Sequence, residues 1–399
     1  MKRIFLLVFI SLSCFKGFTQ NTETVFSTSK TAEVKNEAIV ADKSAMLSAK
    51  DFVIEKINPV TAVKNQAQTG TCWAFSTTSL LESQAFKNNA GAWDLSEMYI
   101  VRNIYIEKAK NYVLRQGRAQ FSEGGLGHDV IRALSLYGAV PEAAYPGLRP
   151  GETNLNHAGF AETMKTDLDS IISRQLSGMK IDWLPKFIMA LDEKLGLPPS
   201  NFVFDSKKYT AQSFAKDVLK FNSNDFINIT SFTHHPFYEP FILEVPDNFS
   251  NGSYFNLPLT EMIDVVKNAV RNGYTVLWDA DVSNNGFKQK QGLAMFVADS
   301  MFFKTTFTPD MREEKWNPQI RQQLFENLVT QDDHLMHIVG IEKSKDGKTF
   351  FVVKNSWGDV GPYKGYIQVS ESYFAINTIS LVMPKAAISK DILDRLKMP

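Results

Sequence analysis

The stretch QAQTGTCWAFS, residues 66–76, decides how the rest of the chain is read. Gly70 and Thr71 read as a turn and a helix cap. Behind them Trp73, Ala74, Phe75, Leu80, Leu81, Ala85 and Phe86 recur at roughly helical spacing. Cys72 therefore falls at or near a helix N-terminus. There the free N–H groups and the helix dipole favour an anion, and a thiol so placed shifts toward thiolate, its nucleophilic form. The 399-residue chain has only one other cysteine, Cys14, inside an amino-terminal stretch that reads as a targeting segment. With that stretch removed, Cys72 would have no partner for an internal disulfide. On composition alone its thiol is either a small buried hydrophobe or chemistry.

Lys2 and Arg3 form a short basic region, and Ile4 to Leu12 is an apolar run too short to span a bilayer in a mature protein. Cleavage near Gly17-Phe18-Thr19 would fit a secretory signal, so residues 1–20 are expected to be a signal peptide and the mature protein periplasmic or secreted. The alternative is a lipid anchor on Cys14, against which Ser11 stands where such boxes prefer Leu. No later segment is apolar enough to cross a membrane. The 43 basic and 43 acidic side chains cancel to a formal charge of zero, which gives no electrostatic reason to expect nucleic acid. At 44% hydrophobic, the chain can bury a sizeable core.

Residues 21–50 are polar and read as a flexible lead-in. Residues 51–145 form a helical lobe carrying Cys72, with further helices over 96–110 and, after the turn Glu123-Gly124-Gly125, over 129–137. Residues 146–255 read as a helical insertion broken at 197–199 (Leu-Pro-Pro). Residues 256–385 read as a β lobe. It opens with an amphipathic helix bearing Met262, Val265, Val266, Ala269 and Val270, followed by strands over 274–280, 335–342, 349–354 and 365–369. Asp346-Gly347 is a hairpin signal between two of these. Residues 386–399 form a tail. The order predicts an α+β fold with a cleft between a helical lobe and a β lobe.

A nucleophilic thiol needs a base, a group that orients the base, and donors for the oxyanion. His334 opens HLMHIVGI, and Asn355 lies in VKNSWG, where its amide could hold the ring. Gln66 lies six residues before Cys72, and its amide together with the Cys72 backbone N–H would make an oxyanion hole. His337 competes with His334, but three residues along a strand it faces the opposite side. Asp333 beside His334 reads as a solvated neighbour, Gln68 as a donor only if its loop shifted, and His128 as bordering the cleft or capping a helix. His234-His235 before Pro236 reads as a loop rather than a ligand pair. No H-E-x-x-H or Cys/His cluster is present, so no metal is expected.

NQAQTGTCWAFS (65–76), DHLMHIVGI (333–341) and KNSWG (354–358) together resemble the papain-like cysteine peptidases. The resemblance implies a two-lobed α+β fold with a β-barrel-like second lobe, peptide substrates and no cofactor. Matched by position, it implies Cys72 as nucleophile, His334 as general base and acid, Asn355 as orienting residue and Gln66 as oxyanion donor. It further implies that Trp357 shields the Asn–His contact and that Gly124-Gly125 runs alongside the substrate backbone. Two departures stand out. Thr69 replaces a cysteine that is disulfide-bonded in papain itself. His and Asn usually follow the Cys by about 130–150 residues, and here roughly 130 more intervene.

That insertion, with LGLPPSNFVFD (195–205), KKYTAQSFAKD (207–217) and GYTVLWDADVS (273–283), resembles the bleomycin hydrolase / aminopeptidase C branch. The branch implies an aminopeptidase without a long propeptide, assembled as a homo-oligomer, typically a hexamer. It also implies a carboxy-terminal arm whose carboxylate receives the substrate's amino group. The tail ISKDILDRLKMP stops early for such an arm. Endopeptidase activity, or an inactive peptide-binding homologue, is therefore carried as the alternative to the aminopeptidase.

Overall fold

The computed structural model describes residues 33–34, 41, 51–298 and 306–398. The targeting segment and Cys14 lie outside the described residues. Helix α1 (Cys72–Lys87) begins at Cys72 and is buried on almost every side. It has neighbours all round: α2 (Glu97–Leu114), α3 (Gly127–Tyr137) and the strand His334–Ser344. Its polar residues survive there because Thr77 and Thr78 return their hydroxyls to the carbonyls one turn earlier, Trp73 O at 2.7 Å and Ala74 O at 2.9 Å. Ser96 caps α2 by accepting the Tyr99 N–H at 3.1 Å.

Of the segment read as a helical insertion, the part up to Asp217 is largely helical: α4 (Phe160–Leu176), α5 (Leu184–Leu195) and α6 (Ala211–Asp217). Met164, Leu168, Ile172, Phe187, Leu191 and Leu195 share a core with Met98, Val101 and Tyr105 of α2. Beyond it the chain turns to β, and Phe226–Thr230 and Ser253–Asn256 enter the main sheet. The helical reading missed this because FINIT and SYFN are short, and short apolar runs carry little periodicity.

Helix α7 (Leu259–Arg271) buries Met262, Ile263, Val266, Ala269 and Val270 in a second core. The sheet beside it has eleven strands. At its centre β1 (Phe52–Ile57), β2 (Val276–Ala280), β3 (His334–Ser344), β4 (Thr349–Lys354), β5 (Tyr366–Ser370) and β6 (Thr378–Pro384) pair antiparallel in the order β6-β2-β3-β4-β5, with β1 added on β3. The fold is the expected α+β one, but the sheet runs open from Pro240–Ile242 to Phe287–Lys288, without barrel closure among the described residues. β3 is buried continuously from His334 to Glu342 because α1 and α7 both pack on it. That placement brings the start of α1 against the start of β3.

Candidate active site

Cys72 is the first residue of α1 and is 8% exposed. The Leu335 backbone N–H points at its sulfur, and Ser76 Oγ, one turn on, donates to Leu335 O at 2.5 Å. The thiol is thus pinned beside the residue that follows His334. Burial pushes the thiol up to about 12, against the Leu335 N–H, which favours the thiolate. His334 is equally buried, and burial draws its imidazole down to about 4, opposed by its bond to Asn355. Each group taken alone favours its neutral form. A thiolate–imidazolium pair would have to draw on the attraction between the two charges and on the helix N-terminus.

His334 Nε2 lies 2.8 Å from Asn355 Oδ1. Asn355 Oδ1 also accepts the Ser356 N–H at 2.7 Å, so the amide presents oxygen to the ring and the ring must carry its hydrogen on Nε2. Nδ1 is left without that hydrogen, free to take a proton. The other end of the amide is fixed too, because Asn355 Nδ2 donates to Gln289 Oε1 at 3.0 Å. Trp357 covers the imidazole at 4.7 Å between ring centroids, tilted 35°.

Gln66 is buried. Its Oε1 accepts from Ser356 Oγ at 2.5 Å, and its Nε2 donates one hydrogen to Thr69 O at 2.7 Å. The second amide hydrogen remains for a ligand. Thr69 fills the cysteine's place with hydrogen bonds: Oγ1 donates to Gln66 O at 2.8 Å and meets Thr71 Oγ1 at 2.5 Å. The Gly124-Gly125 edge is tied to this loop through Glu123. Its carboxylate accepts from Gly70 N at 2.5 Å, and its carbonyl accepts from Trp73 Nε1 at 2.9 Å. Gly125 lies on the Trp73 ring. Gly124 is covered by Asp247, whose Oδ2 would stand 1.8 Å from a Cβ placed there.

The competing residues fall elsewhere. His337 is buried, its Nδ1 2.9 Å from Ser79 Oγ. Gln68 is exposed, and its backbone pairs with residues 155 and 157. Asp333 accepts from the Val282 N–H at 3.2 Å. His128 caps no helix; it holds Tyr254 Oη and Ser250 Oγ, each at 2.8 Å. His234 and His235 share the Glu244 carboxylate at 3.3 and 2.7 Å, and the three ligand atoms are close enough to surround an ion. Gln322 Oε1 accepts the Thr233 N–H, so its Nε2 donates to His234 Nδ1. That puts the His234 hydrogen on Nε2, which suits donation to Glu244 rather than metal ligation. Sequence reasoning missed Gln289, 66 residues from Asn355 and outside any motif. It also gave Ser356 no role, although it quoted the motif containing it.

A buried thiol at a helix N-terminus, held by the backbone of the residue that follows an amide-oriented imidazole, is the arrangement expected of a papain-type cysteine peptidase site. The chain belongs to the Peptidase C1-like family, whose model matches residues 118–399, and the Papain family cysteine protease model matches residues 48–146. The resemblance read from the motifs is thereby borne out. Among curated proteins, the chain is 23% identical to aminopeptidase C of Lactobacillus delbrueckii subsp. lactis, over 83% of this chain and 81% of the relative. It is 24% identical to aminopeptidase G of the same organism, over 92% and 93%. Among solved structures, PepW from Lactobacillus rhamnosis HN001 matches with a TM-score of 0.69 at 20% identity, over 89% of this chain and 86% of that one, which shows the shared fold.

Proposed function

We propose that the protein is a cysteine aminopeptidase that releases residues from peptides by acyl transfer. Cys72 Sγ passes its proton to His334 Nδ1 and attacks the scissile carbonyl. The oxyanion is held by the Cys72 N–H and the second Gln66 amide hydrogen. His334 then protonates the departing amine. It next deprotonates a water that attacks the thioester, and Cys72 leaves as thiolate. Asn355 keeps the ring in the tautomer this requires. Trp357 keeps water off the Asn–His bond, and the Gly124-Gly125 edge borders the acyl side. No cofactor enters these steps.

The observation that carries the reading is the His334 Nε2 to Asn355 Oδ1 bond, which leaves Nδ1 for the thiol. The aminopeptidase assignment draws its support from the relatives named as such over most of their length. Comparing an aminoacyl fluorogenic amide with its N-blocked peptide counterpart tests it. Preference for the free amine is expected, and equal or better cleavage of the blocked substrate would make the enzyme an endopeptidase.

We also propose export through residues 1–20, on their basic-then-apolar pattern. Amino-terminal sequencing of the mature protein tests this, and a lipidated Cys14 would be the alternative outcome. A homo-oligomer is proposed from the branch resemblance and is tested by sedimentation.

A further inference from the structure

A single peptide group aims the Gln66 side chain. The Thr69 carbonyl accepts from Gln66 Nε2 at 2.7 Å, which fixes the amide and leaves its second hydrogen for the oxyanion. The N–H of the same peptide, that of Gly70, donates to Glu123 Oε2 at 2.5 Å. In a trans peptide these two groups point opposite ways. The 69–70 peptide is therefore clamped between the Gln66 amide and the Glu123 carboxylate.

Each side of the clamp has its own anchors. On one side the Gln66 backbone N–H donates to Ser356 O at 2.8 Å. The backbone of Gln68 bonds Leu155 O and the His157 N–H at 3.2 and 2.8 Å. On the other side the Glu123 carbonyl accepts from Trp73 Nε1 at 2.9 Å. Lys108 of α2 donates to the flanking carbonyls of Ser122 and Gly124, which fixes the main chain around Glu123.

The peptide between them has less to hold it. Turning it over changes only ψ of Thr69 and φ of Gly70. The Thr69 hydroxyl bonds do not resist that rotation, because the side chain stays where it is. Gly70 is exposed and has no Cβ to obstruct it. The Glu123 bond is thus the restraint on the N–H end. An ionised Glu123 also polarises the peptide and makes the Thr69 carbonyl a stronger acceptor for Gln66. His157 stands beside this carboxylate without taking it. Its Nδ1 lies 3.9 Å from Glu123 Oε2, and neither ring nitrogen has a hydrogen-bond partner among the described residues. Burial draws its imidazole down to about 4, so it is neutral near pH 7 and leaves the carboxylate to Gly70.

We propose that Glu123 is the positioning residue of the oxyanion hole. By holding the Gly70 N–H it keeps the Thr69 carbonyl turned to Gln66, and so keeps the Gln66 amide aimed. The inference rests on the acyl-transfer reading, in which Gln66 is the oxyanion donor. Without the carboxylate the 69–70 peptide turns over, and Gln66 Nε2 loses its acceptor.

The test is kcat and KM of Glu123→Leu, Glu123→Gln, Gln66→Ala and the Glu123→Leu/Gln66→Ala double variant. The substrate is an aminoacyl fluorogenic amide, or its N-blocked counterpart if the parent enzyme prefers that. The rate of Cys72 alkylation by iodoacetamide is followed in each. Displacement at carbon needs no oxyanion donor, so it reports only folding and the nucleophile. Glu123→Leu should lose kcat by about ten- to a hundredfold, less than removing an oxyanion donor outright, with KM and alkylation near parental. Glu123→Gln keeps an acceptor oxygen and should restore most of kcat. In the double variant the Glu123→Leu change should add little to Gln66→Ala. Parental kcat in Glu123→Leu beside an impaired Gln66→Ala overturns the inference alone. So does an additive loss in the double variant, or a loss shared by alkylation. Parental kcat in Gln66→Ala defeats the oxyanion assignment and the inference with it. If Glu123→Leu does not fold, Gly70→Ala gives the same comparison, because its methyl would stand 2.8 Å from Glu123 Cβ and force the clamp open.

Discussion

Replacing Gln289 with leucine isolates the part of the site that acts at one remove. Gln289 Oε1 accepts Asn355 Nδ2 at 3.0 Å, and both residues are buried. Leucine leaves that N–H without a partner in a place water does not reach, at a cost of about 1–3 kcal/mol. The amide can recover by turning over, but it then presents N–H to the His334 Nε2 hydrogen and loses the Ser356 N–H bond. Either way the productive tautomer becomes less populated, and about 1–3 kcal/mol corresponds to roughly a five- to 150-fold loss of kcat. The assay is kcat and KM on an aminoacyl fluorogenic amide, with epoxide titration of Cys72 to count folded sites. In an Asn355→Ala background the Gln289→Leu change should add little, since it acts through Asn355. A Gln289→Leu enzyme with parental kcat, or one whose loss is undiminished without Asn355, would refute the reasoning.

Other predictions follow from the same geometry. Gly124→Ala drives a methyl into Asp247, so the loop must move; KM for a free-amine substrate should rise by about tenfold or more, measured alongside melting temperature. Glu342 in β3 is fully buried, with neither carboxylate oxygen hydrogen-bonded, and burial raises it to about 8. Because the folded value exceeds the unfolded one, the folded state holds a proton that the unfolded state has lost. The penalty is absent below the ordinary glutamate value of 4.5 and grows as pH rises to about 8. Glu342→Met should therefore stabilise the protein by roughly 3 kcal/mol at neutral pH and by much less in acid, read from denaturant midpoints.

What could be read beforehand was whatever local chemistry dictates. The turn and apolar spacing around Cys72 placed it at the head of α1, and the hairpin at Asp346-Gly347 fixed the pairing of β3 with β4. His334 could be chosen over His337 because alternate strand positions face opposite ways, and the two rings lie in separate surroundings. The strands at 226–230 and 253–256 were not legible, since their pairing with β6 and with each other spans long stretches of chain. Gln289 and Asp247 were hidden for the same reason. Each acquires its role only when folding brings it to Asn355 or to Gly124, and neither sits in a pattern that its neighbours betray.

The most direct measurement is to quench the enzyme during turnover of an aminoacyl ester and map the covalent adduct by mass spectrometry. The acyl mass should appear on the peptide containing Cys72, accumulate in parent enzyme, and vanish together with hydrolysis in Cys72→Ala. Turnover at the parental rate in that variant, or an acyl group found on another side chain, would contradict the account.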